Sequence, residues 1–312
     1  MGSKRVFTTI VTMEKKVQIF AQCKINLVLN ILGKRGDGFH EIETLMGPVG
    51  LFDEVEVQES DSMSLTCNQP GIPLDSKNLA WRAAECFFDH ANIKKAVRIH
   101  LEKRVPSEAG LGGGSSNAAA TLVGLNQLFQ TGLKEFELEK LGALLGSDVP
   151  FFIRGRLAMG FGRGEILEPV EVSGEIDGFH VVLVKPEFGV STPWAYKALA
   201  DYPGALHGRS GRVKEAVEQL RSRGGVEVVS SLLYNSLEMP VFGKYPFLRL
   251  ISETLLREGA KGALMSGSGS TVFGLASSAA GAKEIAERIG PVIGPRSWVA
   301  TARLNLRGVC ED

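Results

Sequence analysis

Apolar side chains alternate from the seventeenth residue onward. In VQIFAQCKINLVLNIL, Val17, Ile19, Ala21, Cys23, Ile25, Leu27 and Leu29 fall on one face, the period of two that a half-buried strand requires. Lys24 and Asn26 then share the opposite face. GKRGDG, with its Asp37-Gly38 pair, has the chemistry of a hairpin turn, and FHEIETLMGPVGLFDEVEV continues as strand. The amino-terminal part therefore opens on antiparallel sheet.

The period then lengthens. Leu79, Ala83, Cys86 and Phe87 take helical spacing within Asp75 to His90, and Val97 to Leu101 alternates again before Lys103, Arg104 and Pro106. After a glycine-rich turn, Ala118, Leu122, Leu125 and Phe129 mark one face of a helix over Asn117 to Phe129, and a shorter helix is predicted over Glu135 to Leu145. FFIRGRLAMGFGRGEILEPV reads as strand, and near residue 170 the register changes as GEIDGFHVVLVKP begins a new apolar strand. This change places a domain boundary between residues 1–169 and 170–312. Polar, glycine-containing stretches at Pro203 to Arg212 and Arg221 to Gly225 read as exposed loops, and EIAERIG as a helix.

Composition narrows the classes. A chain of 312 residues with 44% hydrophobic content can bury a real core in one large domain or two ordinary ones, which excludes a disordered or fibrous protein. Lys plus Arg equals Asp plus Glu at 35 each, so no whole-chain field favours nucleic acid, and an anion has to be bound locally. Cys23, Cys67, Cys86 and Cys310 are scattered without a C-x-x-C pair, which favours buried thiols in reducing cytosol over zinc or disulfides. No apolar run approaches the roughly 20 residues that cross a bilayer. MGSKRVFTTIVTMEKK has neither an apolar signal core nor a cleavage site, and reads as a disordered or strand-like extension, with an organellar peptide as the minor alternative.

PSEAGLGGGSSNAAATLVGLNQLF, from Pro106, carries the most chemistry. Gly110, Gly112, Gly113 and Gly114 let backbone N–H groups approach an anion, the following helix adds its dipole, and Ser115, Ser116 and Asn117 offer side-chain donors and a cap. The plainer alternative is a glycine turn that only caps a helix. A Walker A loop is excluded, because neither Gly33-Lys34 nor Gly243-Lys244 is followed by Ser or Thr, and a dinucleotide fingerprint is matched only in its first half. Asp148, before Val149-Pro150, is either a carboxylate that accepts a hydroxyl proton or a turn former and cap. Lys24 either orients such a carboxylate or faces solvent, and Phe39-His40 either reads a base or is ordinary core.

P-x-x-x-G-L-G-G-G-S-S-N-A-A resembles the phosphate-loop motif of the galactokinase, homoserine kinase, mevalonate kinase and phosphomevalonate kinase (GHMP) superfamily. AQCKINLVL resembles its first motif and LMSGSGSTVFG, from Leu264, its third. Within that superfamily, KINLVLNILGKRGDGFHEIETL, GLGGGSSNAAATLVGLN and GSDVPFF are similar to the 4-diphosphocytidyl-2-C-methyl-D-erythritol kinase family of the non-mevalonate isoprenoid pathway, over about residues 18 to 305. Gln22-Cys23-Lys24 departs from the usual Pro-Ala-Lys, and Phe39 from the usual Tyr.

The resemblance implies an α+β fold of two lobes, the first like the second domain of ribosomal protein S5 and the second ferredoxin-like, with substrates in the cleft between them. It implies phosphorylation of the 2-hydroxyl of a CDP-linked methylerythritol by ATP; magnesium is expected as in phosphoryl transfer generally, and with no acidic cluster to cage it, the expected contacts are phosphate and an unassigned loop serine. Lys24 and Asp148 would form the catalytic pair, with Asn26 on the substrate. His40 would read the cytosine edge with Phe39 beside it, and Tyr196 would stack from the second lobe, with Trp194 as the alternative. Asn78 and Lys103 would border the adenine, Gly110, Leu111, Gly112, Gly113, Gly114, Ser115, Ser116 and Asn117 would hold the triphosphate, and a helix would start at Asn235 to Glu238. The alternatives are a homoserine- or mevalonate-type kinase and a non-catalytic nucleotide-binding regulator. The expected protein is a cytoplasmic monomer or weak homodimer, without nucleic-acid or membrane partners.

Overall fold

The computed structural model describes residues 9–12, 15–172 and 179–306; most of the amino-terminal extension and Cys310 lie outside them. The first half runs β1 (Thr9–Thr12), β2 (Lys16–Lys34), β3 (His40–Ser60), β4 (Ser64–Cys67), α1 (Leu79–Ala91), β5 (Ala96–Glu102), α2 (Gly113–Leu128), α3 (Glu135–Leu145), α4 (Val149–Arg154), β6 (Ala158–Phe161) and β7 (Ile166–Pro169). The second runs β8 (His180–Lys185), α5 (Thr192–Ala198), a single 3-10 turn (Leu199–Asp201), α6 (Pro203–Leu206), α7 (Arg212–Arg223), α8 (Val226–Leu232), β9 (Tyr234–Asn235), α9 (Glu238–Lys244), α10 (Pro246–Arg257), β10 (Ala263–Met265), β11 (Val272–Ala276), α11 (Ala279–Ile293) and β12 (Trp298–Arg303).

One sheet is ordered β1-β2-β3-β5-β4, with β6 on β3, β7 on β6, and β9 added in parallel to β2. The other is a four-stranded antiparallel sheet, β10-β11-β8-β12. The Asp37-Gly38 turn closes the β2–β3 hairpin as expected, with the Phe39 amide donating to Asp37 Oδ1 at 3.1 Å.

The long apolar row of β2 does not keep one face. A register shift between Gln22 and Cys23 breaks the ladder with β3. Val17, Ile19 and Ala21 pack with Ala83, Phe87, Leu122 and Leu125 of the helical layer, whereas Cys23, Ile25 and Leu27 pack with Val181, Leu183, Phe273 and Leu275 of the second sheet. At that irregularity Gly50 and Leu51 of β3 have no partner in the β2 ladder, and the layer that covers β2 changes, so one continuous alternation serves two cores. Every residue from Ala21 to Ile31 is consequently buried, Lys24 and Asn26 included, and the strand is half-buried only before that point.

Other expectations shift for local reasons. α1 begins at Leu79, and α2 begins at Gly113, four residues before Asn117, because the glycines themselves form its first turn. FFIR is not strand: Pro150 at the start of α4 sets helical φ without losing a needed N–H, and strand resumes only in β6 and β7. Arg221 to Arg223 belong to α7, Pro203 to Leu206 form a short helix, and Asn235 closes β9 ahead of α9. Burial and the nearby Asp53 push the Cys23 thiol up to about 12, which makes it chemically inert.

Candidate active site

The loop after β5 is shaped by two glycines with positive φ. Gly112, the N-cap of α2, sits at φ 72°, and a Cβ there would lie 2.6 Å from the Phe152 ring. Gly110, at φ 73°, would place a Cβ 2.1 Å from the Ser266 carbonyl oxygen. The loop is fixed to β2 by the Lys24 amide donating to Leu111 O at 3.1 Å. It is also fixed to the turn at 266–269, where Ser266 Oγ donates to Gly110 O at 2.9 Å. The first bond of the helix runs from Ser116 N to Gly112 O, so the amides of Gly113, Gly114 and Ser115 are open at the positive end of a sixteen-residue helix. A Gly112→Ala protein should show a KM for ATP raised about tenfold or more, since a left-handed conformation alone costs a Cβ-bearing residue roughly 1–2 kcal/mol. Steady-state kinetics with ATP varied would measure it.

Two expected loop donors spend their side chains on the protein itself, Ser116 away from the cleft and Asn117 at its edge. Ser116 Oγ donates to Gln22 O at 2.6 Å, and Asn117 Nδ2 donates to Asp53 Oδ2 at 2.9 Å, so both brace the helix start from behind. Neither caps α2, because Gly112 holds that position. Lys103 belongs to the same brace: its ammonium pairs with Asp53 and donates to Asn117 Oδ1 at 3.0 Å. Asp53, fully buried, also accepts the amides of Arg104 and Val105 at 2.7 and 2.8 Å. Sequence reasoning missed this carboxylate, although the pattern held a signal. Asp53 shares the buried face of β3 with Val55 and Val57, where a lone acid needs a reason. Asn78 caps α1, accepting from Ala80 N at 2.9 Å, and faces the cleft from there.

Beside the glycine loop, Lys24 Nζ donates to Asn26 Oδ1 at 2.5 Å and stands 3.6 Å from Asp148 Oδ2. Asn26 Nδ2 donates to Thr44 Oγ1 at 2.8 Å, which in turn donates to Val28 O at 2.7 Å. The chain of bonds fixes the lysine, and Asn26 keeps one donor hydrogen and one lone pair for an acceptor. Asp148 holds the N-cap position of α4 but makes no side-chain capping bond there, so its carboxylate is not spent on the helix. Its carboxylate remains about one-third exposed, at the cleft.

Further along, the rings of His40 and Tyr196 lie 5.1 Å apart, tilted by 41°. Desolvation, with the charge of Lys34 as a smaller cause, lowers the His40 pKa and keeps its imidazole neutral at pH 7. Burial, and then the charge of Asp148, raises that of Tyr196, whose hydroxyl stays protonated. Phe39 is 52% exposed and carries the Arg163 guanidinium over its ring at 4.7 Å. Trp194 is absent from the cleft lining and packs edge-on against Tyr245.

The cleft has a volume of about 1520 Å³, and all of the site residues expected from sequence line it except Ser116. Residues 78–156 match the family described as "GHMP kinases N terminal domain", and residues 215–291 match "GHMP kinases C terminal". A relative from Citrifermentans bemidjiense named 4-diphosphocytidyl-2-C-methyl-D-erythritol kinase is 40% identical over 290 residues, 92% of this chain and 98% of its own. The chain belongs to the 4-diphosphocytidyl-2-C-methyl-D-erythritol kinase family. A solved 4-(cytidine 5'-diphospho)-2C-methyl-D-erythritol kinase agrees at 37% identity and TM-score 0.75, covering 92% of this chain and 99% of that one. A homoserine kinase from Cytophaga hutchinsonii shares the fold at TM-score 0.74 and 20% identity, covering 96% and 98%.

The turn that holds this family's glycine loop is itself held from behind. Asn235 Nδ2 donates to Met265 O at 2.7 Å and Gly267 O at 2.8 Å, while Glu238 Oε1 accepts the Met265 amide at 2.8 Å. Burial raises the Glu238 pKa from 4.5 to about 7. Between those values the folded chain binds more protons than the unfolded one, so this residue's contribution to stability falls as pH rises from about 4.5 to 7. Glu238→Gln should flatten that slope and be more stable than the parent at pH 8, by on the order of 3 kcal/mol at most. Urea titrations across the range would show it, and a slope identical to the parent's would exclude the assignment.

Proposed function

We propose that this protein transfers the γ-phosphoryl group of ATP to the 2-hydroxyl of 4-diphosphocytidyl-2-C-methyl-D-erythritol. The observation that carries the reading is the Lys24–Asp148 pair, set in one cleft with the glycine loop at one wall and the His40–Tyr196 rings at another. The amides of Gly113, Gly114 and Ser115 receive the triphosphate. A cytosine fits beside His40 and Tyr196, since the neutral imidazole reads a base edge and the phenol ring supplies a stacking face. Asp148 accepts the hydroxyl proton as the acceptor oxygen attacks, and Lys24 holds that carboxylate and steadies the developing charge.

Among the described residues no group of three or more His, Cys, Asp or Glu could hold a metal alone. The Ser115 hydroxyl lines the cleft without a protein partner among those residues, which fits magnesium bound jointly by Ser115 and the phosphates. When bound, the metal supplies charge neutralisation on the phosphoryl oxygens. Division into lobes 1–169 and 170–312 fits the passage from the first sheet to the second between β7 and β8. Free thiols at Cys23, Cys67 and Cys86 fit a reducing compartment.

The test is to incubate the protein with γ-labelled ATP, magnesium and a panel holding the CDP-linked methylerythritol, homoserine and mevalonate. Label should pass to the first alone, and free CDP should compete. Transfer to another alcohol, or none at all, would overturn the assignment.

A further inference from the structure

The β2–β3 hairpin meets the cleft through His40, Ile42 and Thr44 on β3. Glu43, between them in sequence, points to the other face of the strand. There it is 5% exposed and joins a segment of the second half of the chain. Its Oε1 accepts the Gly211 amide at 2.7 Å and the Ser210 hydroxyl at 3.1 Å. Its Oε2 receives Asn30 Nδ2 at 3.4 Å, and the same amide nitrogen donates to Arg209 O at 2.9 Å. Gly208 N adds a bond to Ile31 O at 2.7 Å, and a Cβ on Gly208 would lie 2.0 Å from Asn30 Oδ1.

A buried carboxylate is unfavourable unless its oxygens are bonded, and here the bonds all go to residues 30 and 210–211. Gly211 is the N-cap of α7, so the charge also meets that helix's positive end. The loop at 207–211 follows directly on the stretch that carries Tyr196, Ala200 and Leu206, three residues of the cleft wall. His40 thus stands on the front of the same hairpin whose back is tied to the end of Tyr196's segment. The glycine loop has separate supports, in Asp53 and the 266–269 turn, and shares none of these bonds.

We infer that Glu43 and Asn30 form a clasp that sets the gap between His40 and Tyr196, which makes Glu43 a positioning residue for the cytidine-bearing acceptor and not for ATP. The inference rests on the kinase reading above. Without the clasp the two rings are free to separate, and the acceptor has to restore their spacing at its own expense.

The experiment is steady-state kinetics on the full chain with acceptor and ATP varied independently, for Glu43→Ala, Glu43→Gln and Gly208→Ala. Gly208→Ala tests the clasp from the loop side should Glu43→Ala fold poorly. The alanine variants should raise the acceptor KM about tenfold while kcat and the ATP KM stay within about twofold, the pattern of lost ground-state positioning. Glu43→Gln, which keeps an oxygen for Gly211, should recover most of the acceptor affinity. An unchanged acceptor KM, or kcat and both KM values moving together as in general loosening, would overturn the clasp while wild-type turnover leaves the kinase reading intact. A wild type that transfers nothing to this acceptor overturns both.

Discussion

Asp148→Asn should lower kcat by about 10²- to 10⁴-fold while leaving the affinity for ATP nearly unchanged, the range expected when a positioned general base is lost. The asymmetry follows from geometry. Asp148 lies 3.6 Å from the Lys24 ammonium, whereas the open amides at Gly113 to Ser115 belong to a different element and keep their positions without it. The amide retains the shape of the carboxylate but neither takes a proton nor balances the lysine. Pre-steady-state transfer from labelled ATP, paired with calorimetric binding of a non-hydrolysable ATP analogue, separates the two quantities. Equal losses in binding and turnover would show that Asp148 holds the nucleotide.

Asp53→Ala should destabilise the fold by about 3–5 kcal/mol, because it strands a buried ammonium. Asp53 is 0% exposed and serves Lys103, Asn117 and two backbone amides together. Its loss leaves the amides of Arg104 and Val105 and the Asn117 Nδ2 without this acceptor, and leaves the Lys103 ammonium with Asn117 Oδ1 but no counter-charge. Urea unfolding reads the deficit directly. Replacing Asp53 and Lys103 together by apolar residues of similar volume should recover much of the stability, since both desolvated charges then go. The double replacement should still bind ATP poorly, because Asn117 loses both partners and the helix start loses its brace.

What the sequence made legible and what it hid divide along physical lines. The glycine loop could be read because glycines with positive φ at positions 110 and 112 have a local steric reason to exist. The helices α1 and α3 could be read because each buries one stripe, whereas α2, buried on consecutive positions from Ser116 to Leu122, was legible through its apolar run and the glycines before it. The meeting of Lys24, Asp148, His40 and Tyr196 could not be read from periodicity, for it depends on how distant segments cross, and only the family resemblance placed them together. Trp194 and Tyr196 sit two residues apart, and only the packing of α5 decides which faces the cleft. The bulge at Gln22-Cys23 was hidden because the alternation passes through it unbroken while the partner core changes. Asp53 and Glu43 lie on a strand rich in acids, and their burial is a property of what covers them.

The insertion of β9 beside β2 bears on how the polypeptide tolerates cutting. Tyr234 and Asn235 extend the first sheet, Ser236 N donates to Leu29 O at 2.9 Å, and Ile25 and Leu27 share an apolar cluster with Phe273 and Leu275. Severing the backbone near residue 175 would leave each fragment with a bare greasy flank, so neither should stay soluble when produced alone. Co-produced, the halves should reassemble into a working enzyme, a split-protein complementation that follows from the stitching of one lobe into the other's sheet.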